Sequence, residues 1–260
     1  MNIKFGPAGI GKVKEVEKTF LEYKKLGISA AEIPFTYGVF IKDKITAEKV
    51  RIAAEKNNIE LSIHAPYWIN LNSAEPEKVE GSIKRIIKCL EVGTWLGAKR
   101  VVFHAGFFGK FYKDKTYEKI KKEIKNLQKI RKEKNYTPKL APETMGKINV
   151  FGSVEEIAQL VSDTQCSFCI DFAHILARDK DYSFEKVKKI FDKEKVWHVH
   201  FSGIVYSEKG ERKHTTTQET EIKKILKNLP KNKRIILINE APDPLADSVK
   251  TIKVYRREIS

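Results

Sequence analysis

The sequence predicts a single α/β domain, a (β/α)8 TIM barrel formed by residues 1–260. Short apolar runs alternate with amphipathic stretches eight times, with no long linker or change of composition between them. The apolar runs, such as Val101–Phe103 and Ile235–Ile238, are nearly continuous, as in parallel strands that are buried on both faces. The chain length of 260 residues also suits such a barrel, which typically needs roughly 250 residues.

Each predicted unit is a strand followed by a helix, identified from apolar runs and from apolar residues that recur every three or four positions. Gly27 and Gly97 end the first and third helices, and Ser153 is a candidate N-cap of the fifth. A polar loop to about Thr217 follows the seventh strand. The predicted strands are Ile3–Phe5, Ile28–Phe35, Glu60–His64, Arg100–His104, Leu140–Glu143, Phe168–Asp171, Val196–Phe201 and Arg234–Glu240. The predicted helices are Val13–Lys25, Thr46–Lys56, Pro76–Leu96, Tyr117–Lys134, Val154–Val161, Phe184–Phe191, Glu219–Leu229 and Ala246–Arg256.

The composition is strongly basic, with 50 Lys+Arg against 34 Asp+Glu and a formal net charge of +16. One interpretation is a solvated surface rich in Lys and Glu, as in thermophilic proteins. The other is an anionic partner such as nucleic acid. Composition alone does not separate the two.

The cysteine content indicates a reducing compartment without a disulfide framework, because there are only three cysteines. Cys166 and Cys169 have CxxC spacing, but they lead into a predicted buried strand and are expected to be core thiols. The N-terminal residues contain no long apolar segment, so we expect a cytoplasmic protein without a signal peptide or membrane span.

Imidazoles and carboxylates recur at the predicted strand ends, where (β/α)8 barrels form their active sites. The densest stretch is Cys169–His174, which is expected to place Asp171 and His174 together on the sixth strand. One such histidine alone is more simply a hydrogen-bonded structural residue. A converging set would be costly to bury without a cation, and its ligand types suit zinc, manganese or iron. The candidate ligands are His64, His104, Glu143, Asp171, His174, His200, His214 and Glu240.

His198 is the one histidine that is not counted as a ligand. It lies two residues before His200 and should face the same side of a regular strand. We expect it to be buried in the barrel or to support a ligand.

The candidate ligands lie in a series of short motifs, which are His64-Ala-Pro-Tyr67, Val102-Phe-His104-x-Gly106, Glu143-Thr-Met-Gly146, Asp171-x-x-His174, His200-x-Ser-Gly203, His214 and Glu240-x-Pro242. The order of these motifs resembles the endonuclease IV family, apurinic/apyrimidinic-site nucleases with a (β/α)8 barrel and a trinuclear zinc site. The resemblance implies that His64 and His104 hold one metal and that Glu143 bridges it to a second. Asp171, His200 and Glu240 would complete the second site. The resemblance runs from about His64 to the end of the chain.

The third site departs from the family pattern. The resemblance assigns His174 and His214 to it, but the family has an aspartate two residues before the second histidine, where this chain has Arg212. Either the neighbouring Glu211 swings in, or the third metal is weak or absent. We expect two tightly held zinc ions and a substoichiometric third, with manganese or iron as other metals that suit the ligands.

The loop after the third strand carries an aromatic pair, Tyr67 and Trp68. The family presses side chains from this loop into the DNA stack beside the abasic gap, so the resemblance implies DNA binding by this pair. The residues alone are equally compatible with rings that pack over the barrel mouth or that stack on a sugar.

The resemblance implies a metal-dependent apurinic/apyrimidinic endodeoxyribonuclease that cleaves 5′ to abasic sites. Its catalytic residue would be Glu143, and its partner would be double-stranded DNA with abasic sites, bound by a monomer. The metals would generate hydroxide at neutral pH, orient the phosphate and neutralise the departing 3′-oxygen.

Two alternatives stay open. A sugar isomerase or epimerase of the xylose-isomerase-like barrels would use a single divalent metal and two carboxylates that shuttle a proton. A non-catalytic metal-binding barrel is the other. The extra histidines and the positive charge favour the nuclease, whereas the missing third-site aspartate favours the isomerase. The isomerase ligands would be Glu143, Asp171, His200 and Glu240.

Overall fold

Eight parallel strands close into a barrel in the computed structural model, which describes residues 2–258. The predicted (β/α)8 barrel in a single domain is confirmed. The strands, including a two-stranded hairpin formed by β8 and β9, are Asn2–Pro7 (β1), Ala30–Pro34 (β2), Glu60–His64 (β3), Arg100–Phe103 (β4), Lys139–Pro142 (β5), Ile170–Asp171 (β6), Val196–Phe201 (β7), Gly203–Ser207 (β8), Gly210–Thr215 (β9) and Arg234–Asn239 (β10).

The helices surround the barrel, and their ends follow local sequence signals. Gly27 and Gly97 end two helices in the left-handed conformation, with φ of 84° and 67°, as their positions predicted. Ser153 caps another by a reciprocal capping box with Glu156. The helices are Val16–Leu26 (α1), Lys44–Lys56 (α2), Pro76–Leu96 (α3), Lys113–Glu133 (α4), Val154–Thr164 (α5), Phe172–Asp179 (α6), Phe184–Ile190 (α7), Glu219–Asn228 (α8) and Pro244–Glu258 (α9), and a 3₁₀ turn, Val13–Glu15, precedes α1. None of the helices within residues 2–258 has the length and apolar content to cross a membrane.

The barrel consists of two four-stranded half-barrels, ordered β6-β7-β10-β1 and β2-β3-β4-β5. They meet between β1 and β2, the first seam, and between β5 and β6, the second seam. At the first seam, Ala8 and Glu32 form an isolated parallel bridge. At the second, Glu143 forms the corresponding bridge with Cys169. Both seams therefore include a glutamate.

The two faces of the strands bury different residues. Large side chains such as Trp197 and Phe201 belong to the main hydrophobic core. A separate small cluster consists of Val102, Ala141 and Cys169. Each of its members lies two residues before a candidate ligand, so alternation along the strand places cluster and ligand on one face. The small side chains thus occupy the barrel interior beneath His104, Glu143 and Asp171.

Two local predictions are wrong. The sixth strand ends at Asp171, and His174 lies in α6, because the Asp171 side chain accepts a hydrogen bond from the His174 N–H at 2.8 Å and caps the helix. The polar segment after β7 is not a loop. It folds into the β8–β9 hairpin, whose strands carry β-prone residues such as Val205 and Tyr206, and it places His214 on β9.

The first seam has room for a glycine only. A Cβ atom on Gly6 would lie 1.8 Å from the carbonyl oxygen of Ala30. We predict that Gly6→Ala lowers the free energy of unfolding by about 2 kcal/mol or more, because the strands must separate to admit a methyl group. Thermal and denaturant unfolding measure the loss. Gly9→Ala is the matched control, since its Cβ meets no atom within 4 Å among the described residues. Equal stability of the two variants would contradict this account of the seam.

Candidate metal centre

All the predicted ligand side chains reach the carboxyl-terminal mouth of the barrel, where they form three overlapping groups. In each group, the ligand-type nitrogen and oxygen atoms lie within 4.8 Å of one another. The structure therefore brings together every side chain that the sequence predicted for the centre, while metal binding by each one stays a prediction. The groups are His64, His104 and Glu143; Glu143, Asp171, His200 and Glu240; and Asp171, His174 and His214.

Glu143 lies at the middle of these groups and is completely buried. One carboxylate oxygen, Oε2, lies 3.1 Å from the Nε2 atoms of both His64 and His104. The other, Oε1, lies 3.1 Å from Nδ1 of His200. Its two oxygens thus face histidines of different groups, which is the arrangement of a bridging carboxylate.

Hydrogen bonds to the backbone fix the ring orientation of two histidines. Nδ1–H of His64 donates to the carbonyl of Ala65 at 2.8 Å, and Nδ1–H of His174 donates to the carbonyl of Thr144 at 2.9 Å. Since a carbonyl can only accept, Nδ1 carries a proton, and Nε2 is the nitrogen that faces the centre, where it can hold either a proton or a metal ion. Metal-binding histidines in proteins are commonly held in this way.

His214 is oriented similarly by Ser202. The Ser202 hydroxyl donates its only hydrogen to the carbonyl of Gly203 at 2.9 Å, so its oxygen accepts from Nδ1–H of His214, also at 2.9 Å. Nε2 of His214 then faces Nε2 of His174 at 3.3 Å. Two lone pairs at this distance repel each other unless a proton or a metal ion lies between them.

Asp171 supplies a second sign that the centre suits a cation. One of its carboxylate oxygens caps α6, as described above. The other, Oδ2, is buried and finds no hydrogen-bond donor within residues 2–258. A buried carboxylate oxygen without a donor is costly unless a cation compensates it. The residues present therefore fit divalent metal ions with nitrogen and oxygen ligands.

The pKa values of the buried carboxylate and imidazole groups also indicate that the centre favours positive charge. Burial would raise the pKa of Glu143, but the charge of His200 and hydrogen bonds from His104, His200 and His64 hold it well below its usual range. Burial would lower the pKa of His64, but the hydrogen bond and charge of Glu143 raise it to about 9. The carboxylates thus stabilise protonated imidazoles at the mouth, and a divalent metal would compete with protons for the imidazole nitrogens.

Glu32 contacts the centre from beneath and was not predicted. It is completely buried on β2, with Oε1 at 2.8 Å from Nε2 of His200 and Oε2 at 2.9 Å from Nε2 of His198. Ser62 donates a hydrogen bond to Oε2 at 2.7 Å. The signal available in the sequence was a charged residue inside the predicted strand Ile28–Phe35, which the structure forms over Ala30–Pro34.

The aromatic pair of the third βα loop lies at the rim of the mouth. Tyr67 is 54% exposed, and its ring stacks on that of His104 with 5.8 Å between centroids. Trp68 is 61% exposed and lies 6.3 Å from the ring of Tyr37, which was not predicted. A groove beside these rings is also lined by the cationic residues Lys84, Arg85 and Lys88.

Comparison with known proteins identifies the family. A model of the family described as Xylose isomerase-like TIM barrel matches residues 20–258. The chain belongs to this family. Its barrel, with a carboxylate and imidazole cluster at the mouth, is therefore of the xylose isomerase-like type.

Relatives at the sequence level include proteins with and without a described activity. An uncharacterized protein of Methanocaldococcus jannaschii is 37% identical over 268 residues, which cover 96% of each chain. A probable endonuclease 4 of Mesomycoplasma hyopneumoniae is 32% identical over 121 residues, 45% of this chain and 42% of that protein. A probable endonuclease 4 of Carboxydothermus hydrogenoformans is 26% identical over 218 residues, 76% of each chain.

Solved structures of two different activities resemble the barrel about equally. Endonuclease IV from Thermus thermophilus has a TM-score of 0.73 and 21% identity, and the match covers 99% of this chain and 98% of that one. The 3-keto-D-glucoside 4-epimerase from E. coli has a TM-score of 0.71 and 14% identity, with 99% of both chains covered. These likenesses support the fold and do not separate the two activities.

Because Glu32 contacts His200, its contribution to metal affinity can be tested. We predict that Glu32→Gln lowers metal affinity by about 10- to 100-fold, because it removes the charge that holds His200. Competition with a chelating dye measures the affinity. Glu60→Gln is the control, since Glu60 begins β3 at the opposite end of the barrel, 3.4 Å from Lys4. An affinity that is the same in Glu32→Gln and in the unaltered protein would show that Glu32 does not support the ligand.

Proposed function

We propose that this protein is a metal-dependent apurinic/apyrimidinic endodeoxyribonuclease that hydrolyses the phosphodiester 5′ to an abasic site in double-stranded DNA. The observation that carries the proposal is the number of histidines at the mouth. A centre with one metal would be complete with Glu143, Asp171, His200 and Glu240, yet further imidazoles converge on the same carboxylates. They are His64, His104, His174 and His214. The relatives described as probable endonuclease 4 support the same choice.

The three groups of side chains would hold the metal ions. When bound, such ions supply Lewis acidity, which lowers the pKa of water and neutralises charge on the phosphoryl oxygens. The protein contributes the positions of the ligands and their low-dielectric surroundings. Burial of Glu143, Asp171 and His200 keeps bulk water away from the inner side of the centre.

Glu143 has the central part in this proposal. Its carboxylate is anionic, fully buried and shared between His64 and His104 on one side and His200 on the other. This position suits a bridge that fixes the separation of two metal sites. Since substrate reaches only the open mouth, Glu143 would present the attacking water to a phosphate from below.

The rim offers contacts of the kind that DNA requires. Tyr67 and Trp68 present exposed rings beside the centre, and base stacking on such rings contributes about 1–3 kcal/mol per base. Lys84, Arg85 and Lys88 line a groove together with Trp68 and would neutralise flanking phosphates. The net charge of +16 favours the approach of a polyanion.

A sugar epimerase is the second candidate function. It is favoured by the four-residue group, in which Glu143, Asp171, His200 and Glu240 could hold one metal, and by the likeness to the epimerase barrel. In this alternative, two carboxylates would move a proton at a carbon next to a carbonyl. The added imidazoles and the basic rim would then have no part in the reaction.

Loss of the central carboxylate tests the centre. We predict that Glu143→Gln leaves the barrel folded but lowers cleavage of an abasic duplex by more than the roughly 100-fold expected for losing an outer partner of a ligand. The physical reason is that a carboxamide is a poor bridging ligand. Cleavage of a duplex with one abasic site measures activity, and thermal unfolding measures folding.

Glu118→Gln is the control for this variant, because Glu118 lies on the exposed side of α4. The same preparations are assayed with keto-sugars for epimerisation. Near-normal turnover of Glu143→Gln on either substrate would contradict the metal centre. Sugar turnover by the unaltered protein without cleavage would select the epimerase.

DNA affinity across a salt series tests the proposed partner. We predict binding to duplex DNA at low salt, with log affinity falling by about 0.9 per phosphate contact for each unit of log salt concentration, because bound counterions are released. Binding should be tighter to a duplex with an abasic site. Replacing Tyr67 and Trp68 together by alanine should reduce that preference by about tenfold, since the stacking surface is removed.

Leu21→Ala combined with Ile52→Ala is the matched control, because both residues are exposed apolar side chains on outer helices. This control should keep the preference for the abasic duplex. Absence of binding at low salt, or equal affinity for abasic and intact duplexes in the unaltered protein, would overturn the nuclease proposal.

A further inference from the structure

The β8–β9 hairpin contains one irregularity, and it lies at Arg212. Antiparallel pairing joins Val205 to Lys213, and the next pair joins Tyr206 to Glu211. The pairing thus skips Arg212, which is the arrangement of a β-bulge with one extra residue on β9.

The bulge changes which side chain faces the metal centre. In a regular strand, the residue two before His214 shares its face, and the residue three before it points away. By that rule, a regular β9 would turn Arg212 towards the centre and Glu211 outside. Instead, Arg212 and Lys213 are both exposed, whereas the side chains of Glu211 and His214 are only 17% and 21% exposed. The extra residue therefore restores a carboxylate to the inner face.

The position of Glu211 is fixed by close contact with the loop after β5. Its N–H donates to the carbonyl of Gly146 at 3.1 Å. A Cβ atom on Gly146 would lie 2.7 Å from Cβ of Glu211, so a glycine is needed there. Gly210 has φ of 92°, and a Cβ on it would lie 2.1 Å from the Gly146 oxygen. Two glycines thus let hairpin and loop meet with Glu211 between the loop and α6.

The distances around Glu211 are those of ligands that share one ion. Its Oε2 lies 3.4 Å from Nε2 of His174, its Oε1 lies 3.7 Å from Nε2 of His214, and the two imidazole nitrogens are 3.3 Å apart. Ligand atoms about 2.1 Å from a tetrahedral zinc ion are about 3.4 Å from one another. Asp171 groups with the same two histidines and offers a fourth donor.

We infer that Glu211 is the carboxylate ligand of a third metal position, formed with His174 and His214, and that the inserted Arg212 turns it inward. The inference deepens the proposed function and rests on its metal centre. It also replaces the expectation of a weak third metal, because the carboxylate that appeared to be missing from the sequence is supplied one residue earlier.

Metal content tests this assignment. The unaltered protein and Glu211→Gln are loaded with zinc, dialysed extensively and measured by elemental analysis. We expect close to three zinc ions per chain in the unaltered protein and close to two in Glu211→Gln. Glu208→Gln, in the exposed turn of the same hairpin, should keep the full content. Equal melting temperatures in the presence of a chelator exclude misfolding as the cause.

The part played by the bulge is tested with two further variants. Deletion of Arg212 leaves Glu211 two residues before the histidine, so a regular strand should keep it inward and retain the third ion. Glu211→Gln combined with Arg212→Glu places a carboxylate on the outer side of the bulge, and the third ion should stay lost. Recovery of the third ion in the double variant would overturn the bulge as the orienting feature.

Full zinc content in Glu211→Gln, or only two ions in both proteins, would overturn the assignment of Glu211. Abasic-duplex cleavage by the same preparations separates this result from the proposed function. A protein that loses one of three ions in Glu211→Gln, but never cleaves, keeps the inference and rejects the nuclease. A protein that cleaves the abasic duplex but holds two ions in both forms keeps the nuclease proposal and rejects the assignment of Glu211.

Discussion

Burial of the Glu143 carboxylate is the constraint on which the barrel mouth depends. A buried anion requires compensation from several directions, and here the imidazoles come from different strands. His64 ends β3, His104 follows β4 and His200 lies on β7, so only the closed barrel brings them to one carboxylate. The chemistry of the centre is therefore a property of the fold, and no local segment contains it.

The barrel interior continues this polar arrangement below the mouth. Glu32 contacts two histidines whose pKa values are shifted in opposite directions. Burial lowers the pKa of His198, whereas the charges of neighbouring groups raise the pKa of the equally buried His200 well above its usual value. Burial would also raise the pKa of Glu32, but these two histidines hold it well below its usual range. Large apolar side chains such as Trp197 are buried in the main hydrophobic core instead.

The sequence predicted the barrel well because parallel strands and amphipathic helices leave periodic patterns. Three elements match the prediction to the residue: β3 (Glu60–His64), α3 (Pro76–Leu96) and β7 (Val196–Phe201). The prediction failed where a single side chain controls the backbone, as when Asp171 begins a helix and moves His174 off the strand.

The remaining failures concern contacts between distant residues. Glu32 lies 166 positions from His198, and no periodic pattern reveals which charged strand residue will meet which histidine. The sequence left the part of Glu211 open, because one inserted residue on β9 exchanges the two faces of the strand. Recognising that exchange required the pairing with β8, which becomes visible only in three dimensions.

The two seams of the barrel have a consequence for folding. Each is closed by an isolated bridge that includes a buried glutamate, and both Glu32 and Glu143 contact His200 from the opposite half-barrel. The polar side chains at the mouth thus connect the two half-barrels, which share few backbone hydrogen bonds with each other. A cation held by residues of both half-barrels would bind only the closed barrel. A higher concentration of that free cation would therefore shift the equilibrium towards the closed form. The supply of metal in the cell would then affect the stability of the barrel as well as its activity.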